Sequence, residues 1–206
     1  MKKTLNIELQ RLTSFKLDGT VKELILIENE DDLKYLPKSF FMVGGGSNII
    51  IDPNYSKPIV KISPSFCAIT KDNHLVTCSA GTTVSALLKW MTRNNCGGVE
   101  FAAGVPATIG GMVAMNFECW GHEISNHVES VLIYSKAKGC HWIKRKEYQV
   151  GYRWSSFSEN DNIILAVCLK TKPMESRAIK QSILENINYR KNKQPVYKST
   201  FGSVFK

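Results

Sequence analysis

The stretch FMVGGGSNIII, residues 41–51, sets three consecutive glycines between two apolar runs. The residues after the glycines decide the fold. A dinucleotide fingerprint of the G-x-G-x-x-G type needs a strand before the loop and a helix after it, because the helix N-terminus receives the pyrophosphate. Here Ile49, Ile50 and Ile51 come next, β-branched residues that favour a strand, and Ile49 occupies the place of the third fingerprint glycine. The pattern speaks against a doubly wound nucleotide fold. It leaves a strand-loop-strand in which the backbone amides of Gly44, Gly45 and Gly46 can converge on an anion, with Ser47 and Asn48 adding side-chain hydrogen bonds. Taken alone, such a loop in a β-rich segment is more often a tight turn.

Outward from this loop, apolar runs at residues 23–28, 40–43, 48–51 and 58–62 read as short strands, with one helix over residues 29–36 between them. Strand LVTCSAG leads into a helix on which Val84, Leu87, Leu88 and Met91 share a face, capped by Thr82 or Thr83 and ended by Gly97. SVLIYS and the near-continuous apolar run NIILAVCLKT read as strands, the second buried on both faces. A last helix over residues 176–193 aligns Ile179, Ile183, Leu184 and Ile187. Strands and helices mix without strict alternation, which favours α+β.

A chain of 206 residues buries roughly 70% of its unfolded surface without help from disulfides or metals. MKKTLNIELQRL lacks the apolar core of a signal peptide, and no later run nears the ~18 apolar residues of a membrane helix. The expectation is a soluble cytoplasmic protein that binds no membrane. Six scattered cysteines form no C-x-x-C pair, so reduced thiols are expected and no metal site. The net charge of +9 admits nucleic acid, a membrane surface or a small polyanion. Its lysines and arginines are spread along the chain without any nucleic-acid-binding motif, so nucleic acid is not expected and most of these residues read as solvated.

GVPATIGG sets Gly104, Gly110 and Gly111 around Pro106 and Thr108, and Asn116 comes shortly after. Two such glycine-rich segments in one domain point to one long phosphate-bearing ligand, and a nucleotide cofactor fits better than a single phosphate.

GGGSN, then SAGTTVSALLKWMTRNNCGGVEFAAGVPATIGGMVAMN, then GYRWSSF, then QPVYKSTFGSVFK succeed one another over nearly the whole chain. In this order and spacing they resemble the UDP-N-acetylenolpyruvoylglucosamine reductase family, flavoenzymes that complete UDP-N-acetylmuramic acid for bacterial cell walls. The resemblance implies an α+β, two-lobed FAD-binding domain of the vanillyl-alcohol oxidase type, over residues 1–173 with lobes of about 1–56 and 57–173. Residues 174–206 would begin a substrate domain. It further implies FAD as bound cofactor, NADPH as co-substrate, a UDP-sugar enolpyruvyl substrate and a monomeric enzyme.

By the same resemblance, Gly44 to Asn48, Gly104, Thr108, Gly110, Gly111 and Asn116 line the FAD. Arg153 in GYRWSSF matches the catalytic arginine. An arbitrary arginine would be a solvated strand-edge charge; the flanking Tyr152, Ser155 and Phe157 reverse that reading, and Tyr152 is expected at the substrate. Ser203 in FGSVFK matches the proton donor. Lys191 matches a lysine near the substrate phosphates, a place Arg190 or Lys193 could equally fill. Two features depart from the family: Ala107 replaces a glycine common in its PGT-like turn, and NFECWG stands where small residues often come after Asn116. The family pattern also continues past GSVFK to a catalytic glutamate, a role no residue up to Lys206 takes. The expectation is a shortened form, able to bind flavin but poor in turnover, or a non-catalytic flavin-binding module.

Overall fold

Two sheets divide the chain into lobes. The computed structural model describes residues 1–195, 198–200 and 202. In the first lobe β1 (Lys2–Glu8), β2 (Thr20–Ile27), β3 (Phe41–Met42) and β4 (Ile59–Ile62) form a sheet of order β1-β2-β4-β3. β1 runs antiparallel to β2, while β4 runs parallel to both of its neighbours. Register sets Ile25 beside Val60 and Ile27 beside Ile62, and all four are buried. The helix expected after β2 is a 3-10 turn, Glu30–Tyr35. Asn29 opens it with a capping box, its side chain accepting from the Asp32 N–H while the Asp32 carboxylate accepts from the Asn29 N–H.

The strand expected over residues 48–51 does not form. Ile51 is buried and Ile49 packs partly into the small core of Leu9, Leu12, Val21, Val43 and Ile59, while Ile50 stands exposed. Side-chain alternation survives, but among the described residues no strand lies alongside to pair with the backbone. The absence of a helix after the glycines is as expected.

The second lobe contains, in chain order, β5 (Thr70–Asp72), β6 (Leu75–Ser79), α1 (Val84–Arg93), β7 (Cys96–Gly97), α2 (Ile109–Ala114), β8 (Glu118–Cys119) and β9 (His122–Glu123). It continues with β10 (Val128–Ser135), β11 (Gly139–Lys144), β12 (Val150–Gly151), β13 (Trp154–Ser155), β14 (Ile163–Lys170), β15 (Lys172–Pro173) and α3 (Ser176–Lys193). Its main sheet, β11-β10-β14-β6-β5, is antiparallel throughout. β14 lies at its centre, buried at every position from Ile163 to Leu169. α1 buries Val84, Leu87, Leu88 and Met91 as its periodicity predicts, each such side chain contributing about 1.5–3 kcal/mol relative to exposure. Thr83 is its cap, accepting from the Ala86 N–H at 3.2 Å. The helix stops before Gly97: Asn94 caps it and Asn95 takes the left-handed conformation at φ 50°, which asparagine tolerates.

α3 occupies the predicted span and packs on the second lobe. Ile179 is fully buried, and Ile183 and Ile187 pack against the main core, next to the 3-10 turn Glu100–Ala102 and α1. Leu184, expected on the same stripe, is 55% exposed. The helix thus has its packing partner within the second lobe.

Candidate active site

A cleft of about 2550 Å³, lined by residues of both lobes, contains nearly all of the predicted positions. Single drug-sized ligands occupy roughly 300–1,000 Å³, so there is room for a dinucleotide and a second molecule. Gly44, Gly45, Gly46, Ser47 and Asn48 form one wall. Among the described residues, no protein acceptor receives the backbone N–H of any of these five. Gly46 turns the loop at φ +69°, and a Cβ there would overlap the Leu12 carbonyl. Its own carbonyl accepts from the Ser14 N–H at 3.0 Å.

Gly104, Thr108, Gly110 and Gly111 also line the cleft, with Thr108 and Gly111 packed directly against Gly44. Here three amides are committed: Ile109 donates to Thr82 O at 2.9 Å, Gly110 to Ala80 O at 2.9 Å and Gly111 to the Thr108 hydroxyl at 3.3 Å. The last bond caps α2, a helix whose glycine-rich sequence reads as loop. A Cβ on Gly44 would lie 2.6 Å from the Thr108 hydroxyl, one on Gly45 2.7 Å from Pro106 O and one on Gly110 2.6 Å from the Ala80 Cβ. The space beside the absent side chains is filled by protein. Ala107 fits this packing with its side chain against the core and its carbonyl accepting from Val84.

Asn116 does not line the cleft, contrary to expectation. It is 2% exposed, and its amide donates to the Glu123 carboxylate at 3.1 Å and to Gly151 O at 2.9 Å. It thereby fastens the end of α2 to the β12–β13 hairpin, as does Ser155, whose hydroxyl donates to Ala114 O at 2.6 Å. Gly151 pairs with Trp154, so Tyr152 and Arg153 are the two residues of the hairpin turn, and both line the cleft. Arg153 is held at φ 53°, a left-handed conformation costing on the order of 1–3 kcal/mol in a residue with a side chain. Its guanidinium lies 5.7 Å from the Phe117 ring and 5.8 Å from the Tyr152 ring. Among the described residues no carboxylate pairs with it.

Lys191 is exposed and does not line the cleft, whereas Arg190 does. The helix turns about 100° per residue, so adjacent positions face different surroundings. Arg190 is 8% exposed; its Nε donates to Ala103 O at 3.2 Å, its Nη1 to the Gln194 side chain at 3.1 Å, and the group stacks over Trp120. Its Nη2 approaches Cys119 Sγ at 3.7 Å. Burial nevertheless pushes the Cys119 thiol above its ordinary range, so it stays protonated at neutral pH and is no nucleophile. Ser203 lies outside the described residues. The chain just before it does border the cleft, with the Ser14 hydroxyl donating to Thr200 O at 2.6 Å and Gly202 among the lining residues.

Eight lysines and arginines line the cleft against two acids, Glu118 and Asp161. Much of the excess positive charge is thus concentrated where a polyanion would enter, raising its local concentration and association rate.

A family model described as an FAD binding domain matches residues 31–142. UDP-N-acetylenolpyruvoylglucosamine reductases of Clostridium tetani and Thermotoga petrophila are 31% and 32% identical over 94% of this chain. The chain belongs to the UDP-N-acetylenolpyruvoylglucosamine reductase family. It spans 66% of the length of the first relative and 70% of the second. The crystal structure of the family member from Thermus caldophilus matches with a TM-score of 0.83 at 26% identity, covering 100% of this chain and 74% of that one. An alkyldihydroxyacetonephosphate synthase shares the fold alone, with a TM-score of 0.55 at 13% identity over 77% of this chain. The architecture is thus the α+β FAD-binding fold that the resemblance implied. The residues present fit FAD: five amides without an acceptor among the described residues and a cationic lining offer donors to a diphosphate, and Arg153 lines the same cleft.

Proposed function

We propose that this chain is the flavin-binding part of an enzyme that reduces the enolpyruvyl ether of UDP-N-acetylglucosamine with NADPH, giving the muramic acid precursor of peptidoglycan. FAD, which residues 44–48 and the cationic lining of the cleft would hold, would supply the hydride chemistry between NADPH and C3 of the enolpyruvyl group. Negative charge then develops toward C2 and the carboxylate. Arg153 meets that charge: its planar guanidinium can hold a carboxylate bidentately and keeps its proton at neutral pH. Tyr152 stands beside it with 54% of its surface exposed, available to the substrate. A proton must still reach C2, and Ser203 is the proposed donor. The carbon receiving it is basic enough that a weak acid suffices, and such help is worth about 10²–10⁴ in rate.

The observation that carries this reading is the strained turn that holds Arg153, without a counter-ion among the described residues, in a cleft also lined by a glycine loop whose amides have no acceptor among the described residues. The test uses the protein at the full length of its relatives. NADPH should bleach the flavin, and the enolpyruvyl substrate should restore its colour. Arg153→Ala should slow only the second step, by about 10²–10³. Recolouring at the unaltered rate would remove Arg153 from the chemistry, and a flavin that NADPH never bleaches would favour a non-catalytic flavin-binding module.

A further inference from the structure

Lys61 interrupts the apolar strand β4, between the buried Val60 and Ile62, and lines the same cleft. Its neighbour Val60 accepts from the N–H of Val43 at 2.9 Å, so Lys61 sits beside the root of the first glycine loop. Two other lysines of the cleft have carboxylates: Lys34 pairs with Asp31 at 2.7 Å and Lys136 with Asp161 at 3.1 Å. Lys61 is half-buried; its backbone is paired with Leu26 of β2, and among the described residues its ammonium has no hydrogen-bond or ion-pair partner.

We propose that Lys61 anchors the diphosphate of the dinucleotide, its ammonium left without a protein partner so that a phosphate oxygen becomes that partner. The inference rests on the reading of the cleft as the FAD site. Burying a cation with nothing to receive its protons disfavours the folded state, whereas the same cation against a phosphate makes a charge-assisted hydrogen bond. Consistently, burial is the sole influence drawing the Lys61 ammonium below the usual lysine range. A purely structural lysine would have the opposite signature, since removing it would weaken the ligand-free protein.

Lys61→Met keeps the unbranched shape and removes the charge. FAD affinity, read from quenching of flavin fluorescence, should fall about tenfold to a hundredfold. Riboflavin, which has no phosphate, should bind Lys61→Met as it binds the wild type. The melting temperature of ligand-free Lys61→Met should equal or exceed that of the wild type, and Lys61→Arg should recover most of the FAD affinity. Unchanged FAD affinity in Lys61→Met overturns the inference. So does parallel loss of FAD and riboflavin binding together with a lower ligand-free melting temperature, which would make Lys61 structural. Failure of the wild-type chain to bind FAD would overturn the reading of the cleft itself, and this inference with it.

Discussion

The two glycine-rich segments look alike in sequence and behave differently in the fold. In residues 44–48 the backbone amides have no protein acceptor among the described residues, whereas those of Ile109, Gly110 and Gly111 are all bonded within the protein. One segment is a surface of unused donors. The other is the scaffold against which it is pressed, since a Cβ on Gly44 or Gly45 would strike Thr108 or Pro106. Glycine therefore serves ligand exposure in the first loop only indirectly, by allowing the two backbones to approach.

The sharpest way to break this contrast is hydrogen exchange with and without FAD. At ligand concentrations near a thousand times Kd, exchange from residues 44–48 should slow by up to about 10³, while Gly110 and Met112 should slow far less. First-loop amides already protected in the ligand-free protein would show that they have acceptors after all.

A smaller effect comes from filling the scaffold. Gly110→Val puts a branched side chain against Ala80 and should cost about 3 kcal/mol, lowering the melting temperature by roughly 6–12 °C. The unfolding midpoint without FAD reads this directly, and a variant as stable as wild type but unable to bind FAD would return Gly110 to the ligand.

The smallest effect separates the loops by their hydroxyls. Thr108→Val removes the cap of α2 and should cost about 1 kcal/mol, whereas Ser47→Ala should change stability by less than about 0.5 kcal/mol. Equal losses in urea denaturation would abolish the distinction between scaffold and donor surface.

Much of this architecture is legible in the sequence because strong local signals agree with the tertiary environment. β14 announces itself by an unbroken apolar run, and α1 by four residues on one face with a threonine before them. α2 escapes such reading because each interior glycine costs about 1 kcal/mol of helix propensity, and tertiary contacts with Ala80 and Thr82 override that penalty. Isoleucines 49–51 suggest a strand, but their burial needs only a core, not a partner strand. At the site, motif spacing points to Arg153 and both loops, which line one cleft. It cannot separate Arg190 from Lys191, a difference of helical phase, nor see that Asn116 is turned inward to hold the hairpin. Lys61 reads as an ordinary solvated lysine because its lack of a counter-ion is a property of the folded surroundings.

α3 bears on how such proteins are cut and joined. The helix that buries Ile179 in the second lobe also brings Arg190 into the cleft, so one rigid rod belongs to both core and site. A chimera that exchanges C-terminal domains between family members should be spliced beyond Gln194. A junction at residue 173, where the family resemblance would place the boundary, would exchange part of the flavin lobe's own interior along with the domain.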